Sequence, residues 1–246
     1  MLVASKLNKH FNGVQAVKDI SFRLEAGKIT GIIGPNGSGK TTLVNLLSGM
    51  IGWDSGAVVL EDQKIMRMDR EKAFPHGLAR TFQNVQLIEQ MSVWDNLLLS
   101  FQPRGLHESF SIHLQKNKIK KVEELLKKVQ LQHKRNALVE TLSYGQRKLL
   151  EIARALALDT PVMLFDEPFA GLSAEMTEIV VGIFQELKAQ NKAIAWIEHN
   201  MNLIRRLSDY VLFMDEGRLI AEGTPEKVFE LPEILNAYLG GSYAAS

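Results

Sequence analysis

Strand-like alternation opens the chain. Between residues 2 and 32 three stretches carry β character: LVASKL, then AVKDISFRL with Val17, Ile20, Phe22 and Leu24 as its apolar positions, then KITGIIG. The period then changes. In TTLVNLLSGMI the apolar residues Leu43, Leu46, Leu47 and Met50 recur at three- and four-residue steps, which predicts an amphipathic helix. The turn WDSG at 53–56 and a short strand, AVVLED, follow.

From about residue 86 to 157 the pattern is helical, with one polar break at QPRG, 102–105. Ile119, Val122, Leu125, Leu126 and Val129 line one face, with lysines and glutamates opposite. Strands return with PVMLFDE, then a helix over 175–189 carrying Met176, Ile179, Val180, Ile183, Phe184 and Leu187, then AIAWIEH and YVLFMD. Apolar strands alternating with helices predict a parallel or mixed sheet covered on both sides. The chain is therefore expected to be one α/β core (1–85 and 158–246) interrupted by a helical subdomain (86–157), without internal repeats.

Composition narrows the function. The 246 residues are 46% hydrophobic with a formal charge of +1. That balance suits a globular protein and argues against a dedicated nucleic-acid binder. The basic run from Lys116 to Lys128 contains Glu123 and Glu124 and no aromatic residue, so it reads as a solvated helix face. With no cysteine there is no disulfide framework or thiolate metal site. No apolar run reaches the roughly 18–20 residues of a membrane span, and MLVASKLNKHFNG lacks a secretory apolar segment. The expectation is a soluble chain whose membrane role comes through a partner.

The chemistry begins at GPNGSGKT, 34–41, which fits G-x-x-x-x-G-K-[ST] after a strand and before a helix. Its glycines turn the backbone so that N–H groups around Asn36, Gly37, Ser38 and Gly39 face phosphate oxygens, backed by the positive end of the helix. Lys40 reaches the β- and γ-phosphates, Thr41 ligates Mg²⁺, and Thr42 is placed for the α-phosphate. VMLFDE supplies the other half: four apolar residues, then Asp166 for Mg²⁺ and Glu167 for the attacking water, at the carboxyl end of a strand where ligands bind.

LSYGQRKLLEIARAL at 142–156 resembles the signature segment of ABC-transporter ATPases, and the resemblance extends over nearly the whole chain. It implies a P-loop NTPase core of ABC type with an N-terminal antiparallel β subdomain and an inserted α-helical subdomain. It also implies that Ser143 and the N–H groups around Gly145 and Gln146 reach the γ-phosphate held by an opposing subunit. Gln83 in RTFQN is similar to the glutamine that ligates Mg²⁺, and His199 in AWIEHNM to the histidine that contacts the γ-phosphate. Phe11 matches the aromatic that stacks on adenine, with Val17 against the ribose; Phe22, in the alternating strand, is expected in the core.

Two positions depart from the common family pattern. Tyr144 replaces a glycine and is expected at ordinary φ, and Ala170-Gly171-Leu172-Ser173 replaces Ser-Ala-Leu-Asp, with Ser173 as a helix N-cap. GLARTFQNVQLIEQMSVWDNLL (77–98) and the segment 197–240 look like ATPase subunits of bacterial branched-chain amino acid uptake systems. The resemblance implies ATP and Mg²⁺ as cofactors and a homodimer, or a heterodimer with a paralogous ATPase. It further implies transmembrane permease subunits docking near Val85, Leu87, Ile88 and Met91, and an extracytoplasmic solute-binding protein reached through them. The chain would sit peripherally on the cytoplasmic face of the inner membrane, with no nucleic acid as partner and no regulatory domain after AYLG. The rivals are an ATPase of lipopolysaccharide-type export, a soluble ABC-type ATPase acting on nucleic acid or ribosomes, and a small-molecule kinase.

Overall fold

The computed structural model describes residues 1–65, 70–73, 75–81, 85–101, 112–232 and 234. Its strands, in chain order, are β1 (Leu2–Phe11), β2 (Val14–Leu24), β3 (Ile29–Ile33), β4 (Ser55–Leu60), β5 (Gln63–Ile65), β6 (Leu78–Arg80), β7 (Val162–Asp166), β8 (Ala193–Ile197), β9 (Tyr210–Asp215) and β10 (Arg218–Gly223). Its α-helices are α1 (Lys40–Leu47), α2 (Arg70–Ala73), α3 (Val93–Leu98), α4 (Ile112–Lys128), α5 (Tyr144–Ala157), α6 (Ala174–Ala189), α7 (Met201–Leu207) and α8 (Pro225–Phe229).

The β1–β2 hairpin turns through Asn12 and Gly13, both at positive φ (42° and 89°). An Asn-Gly pair tolerates that conformation, and it matches the twist of the flanking strands. β1 also pairs antiparallel with β4, and β4 with β5, giving a sheet in the order β2-β1-β4-β5. The second sheet runs β10-β9-β3-β8-β7-β6 and is parallel except for β10. Every residue of β3, β7 and β8 is buried, as expected of parallel strands covered on both faces. β6 was not foreseen, because three residues are too few to display a period.

The chain forms two compact units. The first holds Met1–Arg80, Thr160–Glu167 and Phe184–Ser246, and the second Thr81–Asp159 and Pro168–Ile183. The second unit thus takes a segment after Glu167 that the sequence pattern assigned to the core, and the boundary falls inside α6. In the first unit both sheets contribute to one apolar core, with Leu2, Leu7, Leu24, Leu43, Leu60 and Leu164 among its members. In the second unit the stripe along α4 is buried at Val122 and Leu126, and at Val129 just past its end, but Ile119 is 45% exposed. That corrects the expected five-residue stripe, in which Leu125 is half-buried.

Candidate functional site

β3 delivers the chain into the loop at Gly34. A Cβ at Gly34, whose φ is 148°, would strike the Met214 carbonyl oxygen, and one at Gly39, whose φ is 99°, would strike that of Ala16. The loop therefore runs pressed against two neighbouring backbones, which only glycine permits. Gly39 caps α1 without a side-chain hydrogen bond, so the helix offers its first N–H groups to a ligand. Ser38 is buried, Asn36, Gly37 and Thr41 are exposed, and Thr42 is half-buried. The Lys40 ammonium donates to the carbonyls of Gly34 and Pro35, each at 2.8 Å. Burial pushes its pKa down from the ordinary lysine value, and the carboxylates of Glu167 and Asp166 partly oppose that.

Those carboxylates stand at the end of β7. Asp166 lies opposite Ile197 in the β7–β8 register, and the Glu167 N–H donates to the Ile197 carbonyl at 3.1 Å. Glu167 has φ 48°, a left-handed conformation that costs a non-glycine residue about 1–2 kcal/mol. Such strain is characteristic of functional positions. It turns the side chain toward His199, whose Nε2 is 3.1 Å from Glu167 Oε1. The first unit therefore brings Lys40, Asp166, Glu167 and His199 together. Thr41 and Asp166 are hard oxygen donors of the kind a magnesium ion takes, so the residues present fit that ion.

The adenine-side expectations divide. Phe11 is 43% exposed at the hairpin tip, with the Lys9 ammonium over its ring, 5.4 Å from the centre. Val17 has no exposed surface and belongs to the core, which removes it from the ribose. Phe22 is core, as expected. Gln83 lies outside the described residues.

In the second unit Ser143 caps α5 through a reciprocal box: its Oγ accepts from the Gln146 N–H at 3.3 Å, and Gln146 Oε1 accepts from the Ser143 N–H at 3.0 Å. Tyr144 has no positive φ, as expected. A Cβ at Gly145 would lie 2.6 Å from Met176 Sδ, and one at Gly171 would lie 2.8 Å from the Tyr144 ring. Ser173 Oγ accepts from the Met176 N–H at 3.3 Å and caps α6. Of the candidate docking residues, Val85, Leu87 and Met91 are half-buried and Ile88 is exposed.

A sequence profile of the family described as ABC transporter matches residues 17–170. This chain belongs to the ABC transporter family. It is 34% identical to the probable branched-chain amino acid transport ATP-binding protein LivG of Archaeoglobus fulgidus, over 98% of this chain and 95% of that protein. It is 33% identical to the high-affinity branched-chain amino acid transport ATP-binding protein BraF of Pseudomonas aeruginosa, over 98% of each. A solved ATP-binding cassette of an ABC transporter in its ADP conformation superposes with a TM-score of 0.83 at 30% identity, covering 98% of both chains. A nucleotide-free cassette gives 0.85 at 29% identity, covering 97% of this chain and 98% of that one. The fold is that of an ABC cassette, as its two sheets and helical segment had indicated.

Two residues of this ABC cassette carry no sequence signal of their role. Arg80, half-buried at the end of β6 with its side chain 6% exposed, donates from Nη2 to Asp166 Oδ2 at 2.8 Å. Glu198, which is buried, accepts from the N–H groups of His199 at 2.8 Å and Asn200 at 3.2 Å, which fixes the turn that presents His199. A strand ending in Ile-Glu-His would have signalled Glu198 only if the turn geometry were known beforehand.

Proposed function

We propose that this chain is the ATP-hydrolysing subunit of an importer for branched-chain amino acids, working as a pair of cassettes beneath separate transmembrane permease subunits. What carries this reading is the convergence of Lys40, Asp166, the left-handed Glu167 and His199, together with the likeness to LivG and BraF. Among the described residues no helix is long and apolar enough to cross a membrane. A peripheral place on the cytoplasmic face, held by the permease, follows from this reading.

In that role the loop N–H groups and the α1 N-terminus cradle the phosphates, and the Lys40 ammonium swings from its loop carbonyls to the β- and γ-oxygens. Thr41 and Asp166, with Gln83, would hold Mg²⁺, which would supply positive charge against the charge building on the phosphate oxygens. Glu167 Oε1 orients and polarises the attacking water. His199 Nε2 holds that carboxylate in place and stands ready for the γ-phosphate. Ser143 and the N–H groups around Gly145 and Gln146 belong to the site of the opposing cassette. A solute-binding protein would deliver cargo to the permease.

Replacing Glu167 by Gln keeps shape and removes charge, so ATP binding should persist while hydrolysis falls by about 10²–10³-fold. Measured turnover close to that of the native chain would overturn the role of Glu167. Mild-detergent co-purification should bring down a multi-spanning permease, and recovery of a lipopolysaccharide-type export component would reassign the cargo.

A further inference from the structure

Arg80 engages three side chains on two elements at once. Beyond its bond to Asp166, its Nη1 donates to Asn45 Oδ1 at 2.6 Å and to Ser48 Oγ at 2.9 Å. Asn45 lies within α1, and Ser48 is the residue that caps its end. Ser48 Oγ in turn donates to the Val44 carbonyl at 2.8 Å, so the acceptor offered to Arg80 is itself fixed to the helix.

The register makes this reach deliberate. Arg80 pairs with Leu164 across the β6–β7 ladder, and Asp166 is two residues farther along the same face. The side chain therefore runs about 7 Å along the strand before it meets the carboxylate. Neutralising Asp166 would need a cation alone. Two further acceptors from α1 fix the plane of the guanidinium, and a planar fork transmits that orientation to the carboxylate as a lysine ammonium does not. α1 is the helix that begins with Lys40 and Thr41.

We propose that Arg80 is a positioning residue: it sets where the Asp166 carboxylate stands relative to Thr41, and through it the affinity of the site for the divalent ion that accompanies the nucleotide. This rests on the reading of Asp166 as a metal-holding carboxylate.

The test uses the full chain with Mn²⁺ as probe, read by electron paramagnetic resonance in the presence of saturating ADP. Nucleotide binding is measured separately in EDTA. Arg80→Met and the paired change Asn45→Ala with Ser48→Ala should each raise the Mn²⁺ concentration for half-saturation, by about 10–100-fold for Arg80→Met, while EDTA binding of nucleotide moves by less than about twofold. Arg80→Lys should recover only part of the loss. If Arg80→Met does not fold, the Asn45/Ser48 variant decides, since it leaves the charge pair in place. Unchanged half-saturation in the folded variants overturns the proposal. Asp166→Asn is the control: if it leaves Mn²⁺ binding intact, the reading of Asp166 fails and the inference with it. If Asp166→Asn loses Mn²⁺ binding and the Arg80 set does not, only the inference fails.

Discussion

Phe11 and Val17 lie on the two strands of one hairpin and do opposite work. Phe11 is partly exposed at the tip, whereas Val17 is sealed in the core. Phe11→Ala should weaken ATP affinity by about 1–3 kcal/mol with little change in unfolding. Val17→Ala should leave affinity alone and cost about 2 kcal/mol of stability, the worth of its buried methyl groups. Nucleotide titration and urea unfolding of both variants check the pair; a reversed pattern would return Val17 to the ribose. The sequence pattern put both residues at the nucleotide because family spacing locates them in the chain but says nothing of which side of β2 faces inward. That Lys40, Asp166 and Glu167 would come together was legible because the motifs GPNGSGKT and VMLFDE place them where a helix begins and a strand ends, whereas His199 was placed by the family resemblance. Arg80 was not legible, because its partners lie 35 and 86 positions away in the chain. Nor does any residue type announce the left-handed turn at Glu167, since glutamate has no preference for it.

At the scale of elements, the two departures from the common family pattern meet. Gly171 has φ 73°, and the Tyr144 ring at the first turn of α5 covers the space where its side chain would be. Gly171→Ala should therefore carry two costs, about 1–2 kcal/mol of backbone strain and an added overlap with the ring. Tyr144→Ala should remove the overlap and leave the strain, so the double variant should be more stable than the sum of single effects implies. A double-mutant cycle by urea unfolding measures that coupling, and strict additivity would separate the two positions. Another pair of elements is tied at Asp54, which accepts from Lys9 Nζ at 2.9 Å and from the His10 N–H at 2.7 Å, both on β1. The Lys9 ammonium first, and then the His10 N–H, lower its carboxyl pKa to about 2. The folded pKa lies below the unfolded one, so this contribution is complete above roughly pH 4 and disappears as pH falls through about 2. The stability gap between native chain and Asp54→Asn should be constant near neutrality and close across that acid window; a gap that ignores pH would dissociate the tie from the charge. The longer helices α1, α4 and α6 were read from period, whereas the short α7 and α8 were not foreseen. What period could not show is how far a packing surface extends, which is why Ile119 lies exposed on a stripe that looks continuous.

For the whole molecule, the question is whether a working centre can be assembled from one polypeptide. In the proposed function Ser143 has two duties, capping α5 and serving the site of the opposing cassette, and substitution can separate them. Glycine at an N-cap costs only a few tenths of a kcal/mol, whereas alanine costs about 0.5–2 kcal/mol, so Ser143→Gly keeps α5 while removing the hydroxyl. Lys40→Ala disables the phosphate loop of the same chain. Each variant alone should hydrolyse ATP poorly. Consider the two mixed and allowed to exchange subunits. In a mixed pair, one centre joins the damaged loop to the damaged helix tip, but the other joins an intact Lys40 loop to an intact Ser143 tip. Random pairing then leaves about a quarter of all centres whole, so activity should reappear on mixing. If each centre were built within a single chain, every chain in the mixture would still carry a defect, and mixing would restore nothing. The steady-state ATPase rate of the mixture, set against each variant alone at equal total concentration, therefore distinguishes a shared centre from a self-contained one. Because both chains keep the Arg80–Asp166 pair and the His199–Glu167 pair, the recovered rate reports pairing alone, undisturbed by changes in the metal or water machinery.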